Sequence, residues 1–159
     1  MEHPCFVGID VSKAHLDVYV RPSGESFRVS HDDAGFVTLI ARMQPLTPTV
    51  VVLEATGGYE VTVAAALAGA RLPVAVVNPR QIRDFARATG QLAKTDSLDA
   101  RVIALFGEAV RPIPRPLPGG DQLVAQLILP VPAQGRELVS LLRLDVDERI
   151  ARPQVHHTR

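Results

Sequence analysis

The order of apolar and polar positions at the start of the chain predicts three consecutive strands. Residues 5–10 form a short apolar run that ends on a carboxylate, which is typical of a buried strand. Residues 15–21 alternate strictly between apolar and polar, as a half-buried strand does. Pro22-Ser23-Gly24 is a turn signal, and residues 25–31 alternate again. We therefore predict an antiparallel meander.

Beyond residue 31 the pattern changes to helices and strands in alternation. Apolar residues recur at helical spacing after a capping aspartate, and continuous apolar runs indicate strands that are buried on both faces. A meander followed by this alternation predicts an α/β protein with a mixed sheet covered by helices. The predicted elements are a helix from Asp32 or Asp33 to about Met43, a strand at 50–53, a helix at 59–69, a strand at 73–77, a helix at 79–88 and a last helix from about Asp96 to Val110.

The composition shifts after the last predicted helix. Proline occupies every second position between residues 111 and 118, which prevents helix formation and favours an extended linker. The sequence thus predicts one domain over residues 1–111, a proline-rich linker over 112–135, and a short helix with a frayed tail over 136–159.

Charge and composition limit the class of protein and its compartment, but they do not indicate a binding partner. The chain has 17 basic and 17 acidic residues, so a nucleic-acid partner has to be argued from local clustering. Cys5 is the single cysteine, which excludes an internal disulfide and fits a reducing compartment. The chain starts without the pattern of a signal peptide, and its apolar runs are far shorter than the roughly 20 residues of a membrane span. We expect a cytoplasmic protein.

Candidate chemistry lies in four carboxylates. Asp10 and Glu54 each end an apolar strand, and Asp96 and Asp99 are three residues apart at the start of a predicted helix. Carboxylates that converge at strand ends repel one another and need hard cations to ionise comfortably. Mg²⁺ and Mn²⁺ prefer such oxygen ligands, and two ions about 4 Å apart can stabilise an in-line phosphoryl displacement.

Each acid also has a structural interpretation. Asp96 can be only the N-cap of the last helix, with Asp99 at its third position. Asp10 can close a turn with Ser12, whereas Glu54 has no obvious structural use. Three further acids fit exposed faces or a first helical turn and receive no catalytic role: Asp17, Glu60 and Asp84.

Four motifs in order decide between these interpretations. They are Val-Gly-Ile-Asp-Val-Ser-Lys at 7–13, Leu-Glu-Ala-Thr-Gly-Gly-Tyr at 53–59, Val-Asn-Pro-Arg-Gln-Ile-Arg-Asp-Phe-Ala at 77–86 and Lys-Thr-Asp-Ser-Leu-Asp-Ala at 94–100. Over about residues 5–112 the chain resembles the N-terminal domain of DEDD-type transposases of the insertion-sequence 110 family, which includes the Piv-type invertases. The resemblance implies a ribonuclease H-like (RuvC-like) fold, with Asp10, Glu54, Asp96 and Asp99 as a catalytic quartet that binds Mg²⁺ or Mn²⁺. It also implies DNA recombination with the help of a guide RNA.

Basic residues near the motifs are the candidate nucleic-acid contacts. Arg80, Arg83 and Arg87 share one helix face, and Lys94 follows them. This face is either solvated or a contact for phosphates, and the resemblance favours the second alternative. Lys13 and Arg101 are weaker candidates of the same kind. The backbone of Thr56-Gly57-Gly58 either approaches a phosphate or forms a plain turn.

The resemblance implies more protein than these 159 residues hold. The family continues into a coiled-coil region and a second domain with a serine nucleophile, and no serine here, such as Ser12, Ser97 or Ser140, lies in a matching motif. We expect a truncated transposase, a piece of a split enzyme or a fragment, acting as a homo-oligomer or with a full-length transposase.

Three functions follow as hypotheses. The first is a transposase-type domain for metal-dependent phosphoryl transfer on DNA. The second is a module derived from a transposase that binds DNA or RNA, or dimerises, without cutting. The third is an actin-like sugar kinase, which shares the pattern of the first strand; the Asp96 and Asp99 motif and the short chain argue against it.

Overall fold

The computed structural model describes residues 3–91 and 99–115. Within these ranges the chain forms five strands, four α-helices and a 3-10 helix, in the order that the sequence predicts. Their bounds are β1 Phe6–Val11, β2 His15–Arg21, β3 Ser26–Ser30, α1 Asp33–Met43, the 3-10 helix Gln44–Leu46, β4 Val50–Glu54, α2 Glu60–Gly69, β5 Val74–Val77, α3 Pro79–Ala88 and α4 Ala100–Val110.

The strands form one mixed sheet in the order β3-β2-β1-β4-β5. β1, β2 and β3 pair antiparallel, which confirms the meander. β4 lies parallel to β1 on its other side, and β5 lies parallel to β4. β1, which carries Asp10, is therefore the central strand, and β4, which carries Glu54, is its direct neighbour.

Each face of the sheet carries its own apolar core. On one face, Val7, Ile9 and Val11 of β1 pack with residues of α1 and α2. On the other face, Phe6, Val50 and Val52 pack with α3 and α4. This arrangement of a mixed sheet between helices is the ribonuclease H-like fold class that the sequence predicts.

Helix α4 approaches the sheet unusually closely at Gly8 of β1. A Cβ atom at this position would lie 2.3 Å from both the carbonyl oxygen of Ala100 and the amide nitrogen of Ala104. Only glycine fits at such a contact between two backbones. The glycine of the first motif thus serves to seat the N-terminal end of α4 directly on the central strand.

The helix starts follow local capping. The side chain of Asp32 accepts a hydrogen bond from the Gly35 amide and starts α1, which decides between the two predicted caps. Asn78 caps α3 by accepting from the Arg80 amide, with Pro79 at the first position of the helix.

The predicted start of the last helix is wrong. Asp99 has an extended backbone and is the N-cap of α4, so no continuous helix runs from Asp96 through this residue. The Asp99 carboxylate accepts a hydrogen bond from the Val102 amide at 2.9 Å, which is the capping role that the sequence favoured for Asp96. Asp96 itself lies outside the described residues.

After α4 the described chain runs along the edge of the sheet. Arg111 ends the helix in a left-handed conformation, and the Arg115 amide donates to the Val74 carbonyl at 3.3 Å. The rest of the predicted linker and tail, from residue 116 onwards, lies outside the described residues. Among the helices that are described, none has the length and apolar character to cross a membrane.

Candidate functional site

Asp10 and Glu54 occupy adjacent positions at the carboxyl ends of two parallel strands. β1 and β4 pair Gly8 with Val52 and Ile9 with Leu53, and the same register continued by one residue places Asp10 opposite Glu54. Alternation along both strands turns these two side chains to the face that α3 and α4 cover. Both carboxylates are half-buried. The alternative in which Asp10 closes a turn is not realised, because the Ser12 hydroxyl itself bonds the His15 backbone.

Asp99 approaches Asp10 from the N-terminal end of α4. It precedes α4, whose first turn is held against β1 at Gly8. Asp10 and Asp99 line the same surface hollow, together with Arg101. The close packing of α4 on the central strand is thus what delivers a third carboxylate to the end of β1.

Asp10 lies within electrostatic reach of both Asp99 and Glu54. Burial raises the pKa of Asp10, the charges of Asp17 and Asp99 raise it further, and His15 opposes them. Burial also raises the pKa of Glu54; Arg83 lowers it and Asp10 raises it. Both strand-end groups are therefore harder to ionise than free carboxylic acids unless a cation is close.

The donors fit a hard divalent cation in chemical type. Within residues 3–91 and 99–115, no three His, Cys, Asp or Glu side chains form a group arranged to hold a metal ion. Mg²⁺ keeps several waters and is commonly bound by one or two carboxylates, so the adjacent Asp10 and Glu54 already match its requirements. Asp96, the remaining member of the predicted quartet, is outside the described residues.

Asp17 is a further acid at the site, and the sequence interpretation missed its role. It is the cross-strand partner of Asp10 and lines the same hollow. Arg28 of β3 donates two hydrogen bonds to it, from Nε to Oδ1 at 2.7 Å and from Nη2 to Oδ2 at 2.9 Å. His15 Nε2 lies 3.5 Å from Asp17 Oδ2. This bidentate ion pair with Arg28 holds the Asp17 carboxylate beside Asp10 and partly neutralises the charge of Asp17.

The loop after Glu54 is stabilised by hydrogen bonds to a side chain of the same segment. Glu60 is buried, and its Oε2 accepts from the amides of Thr56 at 2.8 Å and Gly58 at 3.0 Å. Gly57 and Gly58 both have positive φ, which explains the glycine pair. Two amides of the loop are already engaged, so the plain-turn alternative is favoured over a phosphate cradle. Glu60 lies in the first turn of α2, which is one of the two alternatives that the sequence offered for it, and its carboxylate turns back to accept from this loop.

His31 connects the turn after β1 with the first turn of α2. Its Nδ1 lies 2.6 Å from the Ser12 carbonyl oxygen, and its Nε2 lies 3.3 Å from the Thr62 hydroxyl. The edge of its ring also faces Tyr59, with centroids 6.4 Å apart. No sequence pattern signals this role, because the partners are 19 and 31 residues away.

The predicted basic face of α3 is present and exposed. Arg80, Arg83 and Arg87 are all exposed, and Arg83 is close enough to Glu54 to lower its pKa. Arg80 and Arg87 each lie 3.9 Å from Asp84, at distances where exposed ion pairs contribute little. Lys13 is exposed in the turn between β1 and β2. Lys94 lies outside the described residues.

Comparison with known proteins agrees with the motifs. The family model for DEDD transposases of the insertion-sequence 110 type, described as "Transposase", matches residues 7–134. The pilin gene-inverting protein of Moraxella lacunata is 28% identical over 113 residues, which are 67% of this chain but only 35% of that relative's length. Among solved structures, T. thermophilus RuvC in complex with a Holliday junction substrate matches with a TM-score of 0.47 and 16% identity, over 65% of this chain and 92% of that one. The family match spans most of the sequence, and the chain belongs to the DEDD transposases of the insertion-sequence 110 family.

Proposed function

We propose that this chain is the N-terminal catalytic domain of a DNA transposase, and that it supports metal-dependent phosphoryl transfer on DNA as part of DNA transposition. The observation that carries the proposal is that Asp10 and Glu54 lie at adjacent parallel strand ends, and that Asp99, before α4, lines the same hollow as Asp10. The chain spans about a third of the length of the relative it matches.

Each carboxylate has a distinct part in the proposed site. Asp10 and Glu54 would hold Mg²⁺ or Mn²⁺, since both are half-buried and both resist ionisation in the absence of a cation. Asp99 would add a ligand from the helix side, and Asp96 would complete the quartet. The bound ions would supply Lewis-acid stabilisation of the attacking and leaving oxygens of a phosphodiester.

The protein's own charges would position the DNA. Arg83 is near Glu54, and Arg80 and Arg87 extend the same exposed helix face away from it. A phosphodiester backbone lying along α3 would be anchored by these guanidinium groups, and Lys13 and Lys94 would add two more cationic contacts. This arrangement would place one backbone phosphate beside Asp10 and Glu54.

Calorimetric titration with Mg²⁺ and Mn²⁺ tests the metal site. We expect binding by the wild type and its loss in Asp10→Ala, with Asp84→Ala as a control because Asp84 lies on exposed α3. Equal binding by wild type and Asp10→Ala would refute the assignment. Cleavage of branched DNA that disappears in Glu54→Ala would establish catalysis.

The second candidate is a module that binds DNA or RNA, or dimerises, without cutting. The exposed arginines of α3 favour it, because they need no metal to contact phosphates. Salt-dependent DNA binding that weakens in Arg83→Ala, without any metal-dependent cleavage by the wild type, would support this function over the first.

Family membership also suggests the setting in which the domain acts. We include in the proposal a guide RNA, assembly as a homo-oligomer or with a full-length transposase, and action in the cytoplasm. Sedimentation of the chain alone and with candidate RNA would test the first two.

A further inference from the structure

Among the described residues, one part of the sheet face beside the candidate site is not covered by a helix. Helix α4 packs on β1, β2 and β4, and none of the four described α-helices packs on β3 from that side. The result is an open groove with Tyr19, Ser26 and Arg28 on the sheet side and Asp99 and Arg101 on the helix side. Asp10 and Asp17 also line the groove, so Asp10 is accessible from it.

Arg28 is held in a fixed orientation in this groove. Its Nε and Nη2 are fastened to the two oxygens of Asp17, and the side chain is nevertheless 61% exposed. An arginine has five N–H donors, so the forked pair leaves donors for a ligand. Arginine fixed in this way is well suited to phosphate, because little side-chain freedom is lost on binding.

Arg101 supplies a cation on the helix side. It lies in the first turn of α4, two residues after Asp99, and it is exposed. The helix N-terminus adds partial positive charge at the same place. The groove therefore has one guanidinium from the sheet and one from the helix, close to the carboxylates of Asp10, Asp17 and Asp99. This combination suits a phosphodiester backbone when a cation is bound at the carboxylates.

We propose that this groove receives a DNA strand that runs to Asp10, with Arg28 and Arg101 contacting its phosphates. The proposal rests on the proposed function and adds a second contact surface to the basic face of α3. Arg28 acts through directed hydrogen bonds, because Asp17 cancels most of its long-range charge. Arg101 acts mainly through its charge.

Fluorescence anisotropy with a labelled four-way DNA junction tests the groove, on the full chain and with Ca²⁺ to occupy oxygen ligands. Arg101→Gln should weaken binding about tenfold and lower the slope of log affinity against log salt by about one. Arg28→Gln should weaken binding to a similar extent with a smaller change in slope. Arg42→Gln is the matched control, since Arg42 belongs to α1, is paired with Glu25 and lies over the Phe27 ring, which packs against the core on the opposite face of the sheet.

A double variant separates contact from charge at Arg28. Asp17→Asn combined with Arg28→Gln restores the net charge of the pair, and we expect binding to stay weak. Recovery of wild-type affinity in this variant would overturn the direct contact of Arg28. Circular dichroism and thermal unfolding of each variant confirm that the fold is kept.

The remaining outcomes distinguish the two proposals. If Arg28→Gln and Arg101→Gln both bind like the wild type while Arg83→Gln is weakened, the groove proposal is overturned and the proposed function stands. If the wild type binds no DNA under any of these conditions, both are overturned.

Discussion

Replacement of Gly8 by alanine is the sharpest test of how the fold builds the site. The added Cβ would lie 2.3 Å from the Ala100 oxygen and the Ala104 nitrogen, and 2.9 Å from the Ala104 Cα. All three atoms belong to the backbone, so no side-chain rotation can relieve the contact. Either α4 retreats from β1 or the central strand bends.

The size of the effect follows from that distance. Ordinary contacts begin at 3.4 Å, so the helix has to retreat by about 1.1 Å. A gap of 0.5–1 Å already removes roughly a quarter to a half of the dispersion energy of the atoms concerned. Overpacking of this kind costs about 1–3 kcal/mol, against a total stability of about 5–15 kcal/mol for an ordinary domain. Gly8→Ala should therefore fold, but with clearly reduced stability.

The retreat of α4 would also carry Asp99 away from Asp10. Urea unfolding followed by circular dichroism measures the stability loss, and calorimetry with Mn²⁺ measures the consequence for the carboxylates. We expect weaker cation binding by Gly8→Ala together with the lower urea midpoint.

Gly107→Ala is the control within the same helix. Its Cβ would meet the Val52 Cγ2 methyl at 3.0 Å, which is a side-chain atom that can move. Removing a glycine from a helix interior stabilises by about 0.5–1 kcal/mol, so this variant should remain close to the wild type. If Gly8→Ala matches the wild type in urea midpoint and in cation affinity, the close contact between α4 and β1 does not position the site.

Three further predictions follow. Burial and neighbouring acids raise the pKa of Asp10, so its ionised form destabilises the folded state at neutral pH. Asp10→Asn should therefore raise the urea midpoint at neutral pH in EDTA, and this gain should shrink as the pH falls through the raised pKa. A gain that does not change with pH would exclude ionisation of Asp10 as its cause. Glu60→Ala should cost about 1–3 kcal/mol because two loop amides lose their acceptor, while Glu60→Gln should cost less; equal midpoints for both variants in urea would contradict the bracing role. Asp99→Asn should keep the helix cap but lose cation affinity, whereas Asp99→Ala should lose both and lower the free energy of unfolding by about 1 kcal/mol. Urea unfolding measures the cap and calorimetry measures cation binding. Full cation affinity in Asp99→Asn would show that Asp99 is not a ligand.

The sequence predicts the fold well because most elements carry their own signals. Alternation in residues 15–21 and the continuous apolar run that starts at Val50 correspond to β2 and β4, and Asp32 and Asn78 cap helices where polar residues precede apolar periodicity. The start of α4 was misplaced because Asp96 and Asp99 are equally good caps by type. Helix α4 begins after Asp99, where the Asp99 cap coincides with the close contact between α4 and Gly8. A close approach of two backbones cannot be read from apolar periodicity.

The candidate site was predicted in part, for a related reason. Asp10 and Glu54 end parallel strands, so their proximity follows from topology once both strands are recognised. The fork between Asp17 and Arg28 depends on the register of β2 with β3, and the brace by Glu60 depends on a loop that folds back on itself. Such contacts arise from tertiary geometry, which residue type and spacing alone do not specify.

The site divides its carboxylates between two energetic roles. Asp99 has a structural use, because its carboxylate caps α4. Within residues 3–91 and 99–115 no side-chain or backbone group donates a hydrogen bond to the carboxylates of Asp10 and Glu54, and burial makes their ionised forms unfavourable. The surrounding structure holds these two carboxylates in place although their ionisation is unfavourable. It consists of the buried strands, the ion pair between Arg28 and Asp17, and the loop that Glu60 stabilises. A cation that binds them would relieve the repulsion and stabilise the native state, so ligand binding and folding stability should rise together in this domain.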